Sequence, residues 1–491
     1  MAGQQLGVVA AGHPRSAQAG ADVLRAGGNA VDAALGAILT SCVCEPMLTG
    51  LGAGGYMLVT HPSQPPVLLD FFVEAPGRGA DPSARAELIP VDVSFGDAIQ
   101  VFNIGAASVG TYGVAAGICE ASRRFGRMRL TELAAPAAQL ARTGVELNAQ
   151  QAYVVQILDG VATATPEAAA LFAPEGRLLG EGDPVRQPEL ADAIERLAAE
   201  GSEPFYRGEV AAAIAAWVTD RGGMLTRADL AAYQVIERDP IHVGYRGHEV
   251  LTNPPPSAGG ILIARALQLL SASPAQPSVQ RLVAVMERVQ GERTADFLEG
   301  LGDPGFAARF LGSTTHIAVL DAEGWACSVT CSNGSCSGVI VPGTGLHLNN
   351  MMGEQDLNPL GFHRYPPGRR MPSMMAPTTV LREGAPRLVL GSAGSNRIRS
   401  AILQTIVRVI DDGLPVPDAV EAPRAHFEDG VVYVEPGMET GELEQAGATL
   451  ARFRALNLFF GGVQAVERDP SGRLRGAGDP RRGGAAVVVE T

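Results

Sequence analysis

A polar tetrad, Gly312-Ser313-Thr314-Thr315, runs directly into the apolar strand sequence that begins at His316. A threonine in this position can become an N-terminal nucleophile if the chain is cut between Ser313 and Thr314. The α-amine released by the cut can act as the general base for the hydroxyl of the same residue. An α-amine also titrates closer to neutral pH than a lysine side chain does. The sequence therefore predicts a proenzyme whose catalytic base does not exist before cleavage.

Other nucleophiles have little support in the sequence. The chain has no G-x-S-x-G motif, and its eight histidines are scattered. His316 lies two residues after Thr314 and is predicted to be a hydrogen-bonded core histidine. The six cysteines show no pair with the short spacing typical of zinc ligands, so we expect small buried residues and no metal site.

Acyl transfer also needs donors that stabilise an oxyanion. The run from Gly391 to Arg397, GSAGSNR, is predicted to join a strand to a helix. The backbone N–H groups at the start of a helix point outward and favour negative charge. This junction is therefore a candidate oxyanion site.

The elements around these residues predict an α+β protein. Two Ala-rich helices occupy residues 15–44, with Gly28 expected in the left-handed region and Asn29 as the next N-cap. Residues 110–220 have helical spacing. Strands are predicted at 315–320, 325–332, 337–341, 378–382, 387–391, 431–434 and 485–490, with a helix at 397–411. Two strand layers flanked by long helices indicate a layered sandwich.

The glycines at 50, 52 and 55 fit G-x-G-x-x-G, but they follow a helix and precede a strand. A dinucleotide site needs the opposite order, so a tight turn is expected and no cofactor is predicted.

Composition narrows the function classes further. The chain has 491 residues, a net charge of −14 and 46% hydrophobic residues, which indicates a globular protein. Partners such as nucleic acid or an anionic membrane surface need a basic patch, so neither is expected. The first residues show no basic or apolar signal region, and a soluble, cytoplasmic protein is the expectation.

The chain resembles the γ-glutamyltransferase family of N-terminal nucleophile hydrolases over nearly its whole length, because it contains ten motifs in the order in which the family has them. They are GHP at 12–14, AGGNAVDAA at 26–34, GLGAGGYM at 50–57, TTH at 314–316, PGTG at 342–345, LNNM at 348–351, SMMAPT at 373–378, GSAG at 391–394, APR at 422–424 and GDPR at 478–481.

The resemblance implies a four-layer αββα sandwich and autocleavage between Ser313 and Thr314. Residues 1–313 would form a large subunit and residues 314–491 a small one, in an obligate heterodimer. Thr314 would form an acyl-enzyme and pass a γ-glutamyl or related acyl group to water or an amine. Gly394 and Ser395 match the family's oxyanion pair, and Ser332 matches the hydroxyl that supports the nucleophile.

The family's γ-glutamyl donor is held at two ends, its amine and its carboxylate, and this chain matches the family's binding residues at only one of them. Asn333 and Glu354 match the residues that hold its amine. At the carboxylate end, Phe72 stands at the arginine position, and Ser373 is followed by Met374 where a second serine is usual. A phenylalanine cannot make the bidentate grip of an arginine on a carboxylate. We therefore expect γ-glutamyl donors such as glutathione to bind weakly.

Two alternatives stay open from the sequence. One is a divergent N-terminal nucleophile hydrolase, either an amide acylase or a C–C bond hydrolase of specialised metabolism. The other is an unprocessed, non-catalytic binding protein.

Overall fold

The computed structural model describes residues 4–94, 99–292, 314–358 and 361–491. Ser313, the first residue of the predicted cleavage pair, lies outside these ranges. The strands, numbered in chain order, are β1 Gln5–Ala11, β2 Gly54–His61, β3 Gln64–Phe71, β4 Ile89–Ser94, β5 Ile99–Ile104, β6 Val145–Glu146, β7 Pro184–Val185, β8 Ile236–Arg238, β9 Ile241–Tyr245, β10 His248–Thr252, β11 Thr315–Asp321, β12 Ala326–Ser332, β13 Thr378–Arg382, β14 Ala385–Ala393, β15 Ala425–Glu428, β16 Val431–Val434, β17 Thr449–Arg452, β18 Gly462–Arg468, β19 Leu474–Gly478 and β20 Ala485–Glu490.

The helices begin where the sequence supplies caps. His13 accepts a hydrogen bond from the Arg15 N–H, and Asn29 forms a capping box with Asp32. The helices are α1 Pro14–Arg25, α2 Ala30–Cys44, α3 Val114–Phe125, α4 Leu130–Thr143, α5 Ala149–Ile157, α6 Asp159–Ala162, α7 Pro166–Phe172, α8 Pro188–Glu200, α9 Glu203–Tyr206, α10 Glu209–Thr219, α11 Arg227–Ala232, α12 Ala258–Ser271, α13 Val279–Gly291, α14 Arg397–Ile410, α15 Val416–Glu421 and α16 Gly441–Gln445. Within the described ranges, no helix is long and apolar enough to span a bilayer.

Two large sheets form the centre of the fold. The first has the order β20-β1-β11-β12-β2-β3-β8, and the second has the order β19-β18-β14-β13-β10-β9. Ala318 and Leu320 of β11 pack between the sheets against Val389 and Val466 of the second sheet. Helices α1 and α2 cover the outer face of the first sheet, and α12 and α14 cover that of the second. The αββα sandwich implied by the resemblance is confirmed.

The parts of the chain before and after Thr314 share both sheets. In the first sheet, β11 pairs with β1 on one side and with β12 on the other, and β12 pairs with β2. In the second, β10 pairs with β13. Every residue of β11 and β12 is buried. A cut before Thr314 would therefore leave two segments joined by ladder hydrogen bonds and a common core.

Two predictions about local structure need correction, and two strands were not predicted. Gly27, with φ +91°, adopts the left-handed region, and Gly28 does not. Residues 337–341 form no strand apart from a single bridge between Ile340 and His347, because left-handed residues at Cys336 and Gly338 interrupt the extended chain. Strands β18 and β19, which the sequence analysis did not identify, complete the second sheet beside β14.

A close contact between the sheets joins His316 of β11 to Gly391 of β14. A methyl group added at Gly391 would lie 2.3–2.8 Å from three atoms of the His316 ring. The glycine is therefore needed to let the two backbones approach.

We predict that Gly391→Ala lowers the free energy of unfolding by about 1–3 kcal/mol, because overpacking forces the two sheets apart. The midpoint of thermal unfolding, followed by circular dichroism, checks this. Gly244→Ala is the control, since a methyl group added there meets nothing within 4 Å. Equal midpoints for the two variants would contradict the assigned role of the contact.

Candidate active site

Strand ends from both sheets meet at one end of the sandwich. In the first sheet, β1 ends at Ala11, β11 begins at Thr315 and β12 ends at Ser332. In the second, β14 ends at Ala393, which pairs with Gly462 at the start of β18. The contact between His316 and Gly391 shows that these ends coincide, since Thr315 and Ala393 lie one and two residues away from it. The topology thus brings the candidate catalytic residues to one place.

Thr314 immediately precedes β11 and is only 1% exposed. Strand alternation places its side chain on the same face as His316, the face that packs on the second sheet. Thr315 pairs with Cys331, so extending this register by one residue sets Thr314 opposite Ser332. Side chains in such a cross-strand pair have Cβ atoms about 4.5–5.5 Å apart. The buried Ser332 Oγ also accepts the Gly334 N–H at 2.8 Å, which fixes the turn after β12.

His316 is a core residue, as predicted. Its Nδ1 lies 2.8 Å from Thr330 Oγ1, and the ring is fully buried. Burial lowers the pKa of His316 to about 3, so the ring is neutral at physiological pH. The histidine therefore supports the packing beside Thr314.

The candidate oxyanion junction has an unusual backbone. Gly394 has φ +111° and Ser395 has φ +69°, both in the left-handed region. A methyl group at Gly394 would lie 2.5 Å from Gly461 Cα, so this position admits only glycine. A left-handed serine costs free energy and is typical of a functional turn. The first turn of α14 follows, with the Arg397 N–H donating to Gly394 O and the Ile398 N–H to Ser395 O.

Two buried acceptor atoms lie at the turn after β12, one on Asn333 of that turn and one on Glu354, which contacts it from a later segment. Glu354 Oε1 accepts both the N–H and the hydroxyl of Ser335 at 3.0 Å. Glu354 Oε2 and Asn333 Oδ1 are buried and accept no hydrogen bond from any described residue. Burial raises the pKa of Glu354 to about 7, although the hydrogen bonds from Ser335 oppose this shift. Two unpartnered acceptors at one turn are suited to a cationic amine.

The residues at the expected carboxylate end lie in apolar surroundings. Phe72 is 0% exposed and stacks on Tyr56, with ring centroids 5.3 Å apart. Ser373 Oγ accepts the Met375 N–H at 3.0 Å, and Met374 packs into the core of the second sheet. These positions offer no cation to a substrate carboxylate.

Arg370 lies nearby, but it already has partners. It donates to Phe72 O and to the Tyr233 hydroxyl, and Asp70 and Glu74 lie 3.4 and 3.6 Å from its guanidinium. Arg370 is thus held among buried carboxylates and carbonyl groups, and it does not take the place of the arginine that the resemblance implies at position 72.

Two residues at this end of the sandwich were not predicted from the sequence. Glu45, 2% exposed, follows α2 and accepts the Thr315 hydroxyl at 2.9 Å. Burial raises the pKa of Glu45 to about 7, whereas the Thr315 hydrogen bond and the charge of Arg482 lower it. Arg482 lies beside Gly394. In the sequence, Glu45 could have been found as an acidic residue at the end of an apolar helix. Arg482 could have been found as an arginine next to the GDPR motif.

The described residues contain no group of three or more His, Cys, Asp or Glu side chains arranged to hold a metal ion. Burial raises the pKa of the Cys331 thiol well above its usual range, and none of the six cysteines is in a disulfide.

Comparison with known proteins gives one consistent family. The sequence profile described as Gamma-glutamyltranspeptidase matches residues 16–311 and 304–489. The glutathione hydrolase proenzyme of Escherichia coli strain K12 is 32% identical, covering 97% of this chain and 90% of its own. The Acylase ACY 1 proenzyme of Pseudomonas sp. strain SE83 is 29% identical, covering 98% and 93%. The solved structure of cephalosporin acylase from Bacillus halodurans superposes with a TM-score of 0.86 at 27% identity, covering 100% and 97%.

Proposed function

The chain belongs to the gamma-glutamyltranspeptidase family, and we propose that it is an autoprocessing amide-acyl hydrolase or transferase with Thr314 as its nucleophile. Family membership favours an enzyme over the non-catalytic binding protein. Relatives named as acylases favour cleavage of a C–N bond over a C–C bond. The observation that supports the proposal is that Thr314 is buried at the end of the sandwich where β12 ends at Ser332 and β14 ends just before the left-handed Gly394.

The reaction follows from this arrangement. Cleavage after Ser313 releases the α-amine of Thr314, which takes the proton from Oγ as the hydroxyl attacks the acyl carbonyl. The N–H groups of Gly394 and Ser395 stabilise the oxyanion, and one such donor typically contributes about 2.7–4 kcal/mol. The amide C–N bond then breaks, and the α-ammonium returns the proton to the leaving amine. Water or an amine attacks the acyl-enzyme and regenerates Thr314.

The contrast between the two poles of the site supports one class of donor. At one pole, Glu354 and Asn333 offer buried acceptors without partners. At the other, Phe72 is packed on Tyr56 where a carboxylate would need a cation. We infer a small acyl donor that carries an amine and lacks the second carboxylate of a γ-glutamyl group. The 4-aminobutanoyl group is the simplest example, because it is γ-glutamyl without its α-carboxylate.

The subunit arrangement is also a proposal. Residues 1–313 and 314–491 would remain an obligate heterodimer after cleavage, because both contribute strands to the two large sheets. No cofactor is needed for any step above.

Processing gives the first test. The wild-type enzyme should run as two fragments on a denaturing gel, divided before Thr314, and Thr314→Ala should run as one chain because it has no side-chain hydroxyl. Thr314→Ser, which keeps a hydroxyl, should still be cut. Two fragments from Thr314→Ala would contradict the assignment, as would an uncut wild type.

Donor preference gives the second test, with 4-aminobutanoyl, γ-glutamyl and glutaryl p-nitroanilides. We expect the highest kcat/KM for 4-aminobutanoyl. The γ-glutamyl donor should be at least about tenfold poorer, because an unpaired charged group costs about 1.5–3 kcal/mol. Glutaryl, which has the carboxylate without the amine, should be poorer still. Glu354→Gln should remove most of the preference for the amine, and a γ-glutamyl donor that outperforms 4-aminobutanoyl would refute the donor class.

The pH dependence gives the third test. The raised pKa of Glu354 means that its carboxyl is neutral below about pH 7 and cannot balance an ammonium group there. The KM for the 4-aminobutanoyl donor should therefore fall as pH rises from 6 to 8, and Glu354→Gln should flatten this change. A glutaryl donor serves as the control, since it has no ammonium group. A KM step that persists in Glu354→Gln would show that another group titrates.

A further inference from the structure

Helix α2 is joined to strand β11 at both of its ends. Every residue of α2 is buried, and the helix packs on the outer face of the first sheet. At its start, the Ala30 N–H donates to Oδ2 of Asp321, the last residue of β11, at 3.0 Å. At its end, Glu45 Oε2 accepts the hydroxyl of Thr315, the first residue of β11, at 2.9 Å. Two buried carboxylates therefore fix opposite ends of one strand against the same helix.

The two carboxylates differ in how many hydrogen bonds they accept. Asp321 uses both oxygens, since its Oδ1 accepts the Trp325 N–H at 3.0 Å. Among the described residues, the Thr315 hydroxyl is the only hydrogen-bond donor to Glu45, and Glu45 Oε1 is buried without one. A buried carboxylate with an unpartnered oxygen lowers stability. The stability of the fold therefore does not account for a carboxylate at position 45.

The hydrogen bond between Glu45 and Thr315 needs a glycine beside it. A methyl group added at Gly12, just after β1, would lie 2.6 Å from Glu45 Oε2 and 2.8 Å from Thr315 Oγ1. The absence of a side chain at Gly12 therefore lets the carboxylate reach the hydroxyl. This hydrogen bond lies where β1 ends, β11 begins and α2 ends, which is the reacting end of the sandwich.

Thr315 is the covalent neighbour of the proposed nucleophile. Before cleavage, peptide bonds on both sides restrain Thr314. After the proposed cleavage, Thr314 is a chain terminus, and terminal residues lose order unless they are tied down. Its remaining neighbour, Thr315, is held by the backbone pairing with Cys331 and by the hydrogen bond to Glu45. Because a small misplacement of a reacting group lowers the rate strongly, the placement of Thr315 affects how well Thr314 is aligned.

We propose that Glu45 is a positioning residue, which anchors Thr315 and so keeps the amine and hydroxyl of Thr314 aligned once the bond to Ser313 is gone. This inference rests on the proposed function and extends it. Glu45 takes no part in the bond changes at Thr314. Because the anchor replaces a restraint that cleavage removes, its loss lowers turnover by the mature enzyme more than it slows processing.

The test uses the processed enzyme and whichever of the three p-nitroanilide donors it cleaves fastest. Glu45→Ala should lower kcat by about ten- to hundredfold with little change in KM, because the contacts with the substrate are retained. Glu45→Gln should keep most of kcat, since its amide oxygen can accept the same hydroxyl. Thr315→Val should lower kcat as Glu45→Ala does. The double variant should be no slower than the slower single variant, because all three lose the same contact.

Asp321→Ala is the matched control, because it removes the other buried carboxylate between α2 and β11, at the end of the strand away from Thr314. It should leave kcat unchanged below its unfolding midpoint, and every variant should still be cut on a denaturing gel. If Glu45→Ala does not fold, Thr315→Val decides, since valine keeps the size of the side chain.

Three results would overturn the proposal while the proposed function would stand. They are an unchanged kcat on loss of the contact, an equal fall in Asp321→Ala, and a Glu45→Gln variant as slow as Glu45→Ala, which would assign the effect to charge. A folded Glu45→Ala that stays uncut would also overturn it, because Glu45 would then act in processing. A wild type that cleaves none of the donors would overturn both.

Discussion

The ring of His316 packs closely against Gly391 between the two large sheets, and this contact limits how the strands that lead to the reacting end can be placed. Thr314 lies two residues before His316 on the same strand face, and Gly394 lies three residues after Gly391. Because both strands are buried and held by neighbours on each side, neither can slide by one residue without exchanging the side chains between the sheets for those packed under the helices. The distance between nucleophile and oxyanion junction is thus fixed by core packing.

The same end of the molecule contains two kinds of buried polar residue. Arg424, Arg481, Asp479 and Glu435 neutralise one another in a closed network and hold the loop after β19. Glu354 Oε2 and Asn333 Oδ1, in contrast, are carboxylate and amide oxygens that are buried with no hydrogen-bond donor among the described residues. An unsatisfied buried polar group costs about 1–3 kcal/mol. The charged network therefore supports the loop, and the two oxygens are the acceptors that the proposed function assigns to the amine of the substrate.

Much of this could be predicted from sequence because the signals are local. The apolar runs of β11 and β12 and the strand-to-helix junction before α14 each follow from neighbouring residues. Strands β18 and β19 were missed because glycine and charged residues weaken their alternation, and they form only by pairing with β14. The contact of Glu45 with Thr315 joins residues 270 positions apart, and that of Arg482 with Gly394 joins residues 88 positions apart, and no local pattern shows either.

The surroundings of Phe72, where the resemblance implies an arginine, are a packed apolar core to which several residues contribute. Phe72 belongs to a cluster with Met351, Met371 and Met375, and Tyr56 stacks on its ring. An arginine placed at position 72 would enter this cluster with no carboxylate to pair with, because Asp70 and Glu74 already balance Arg370. Phe72 and the surrounding methionines therefore form one apolar cluster. In the proposed function, donor specificity at this pole resides in that cluster as a whole, while Glu354 and Asn333 supply the acceptors for the amine.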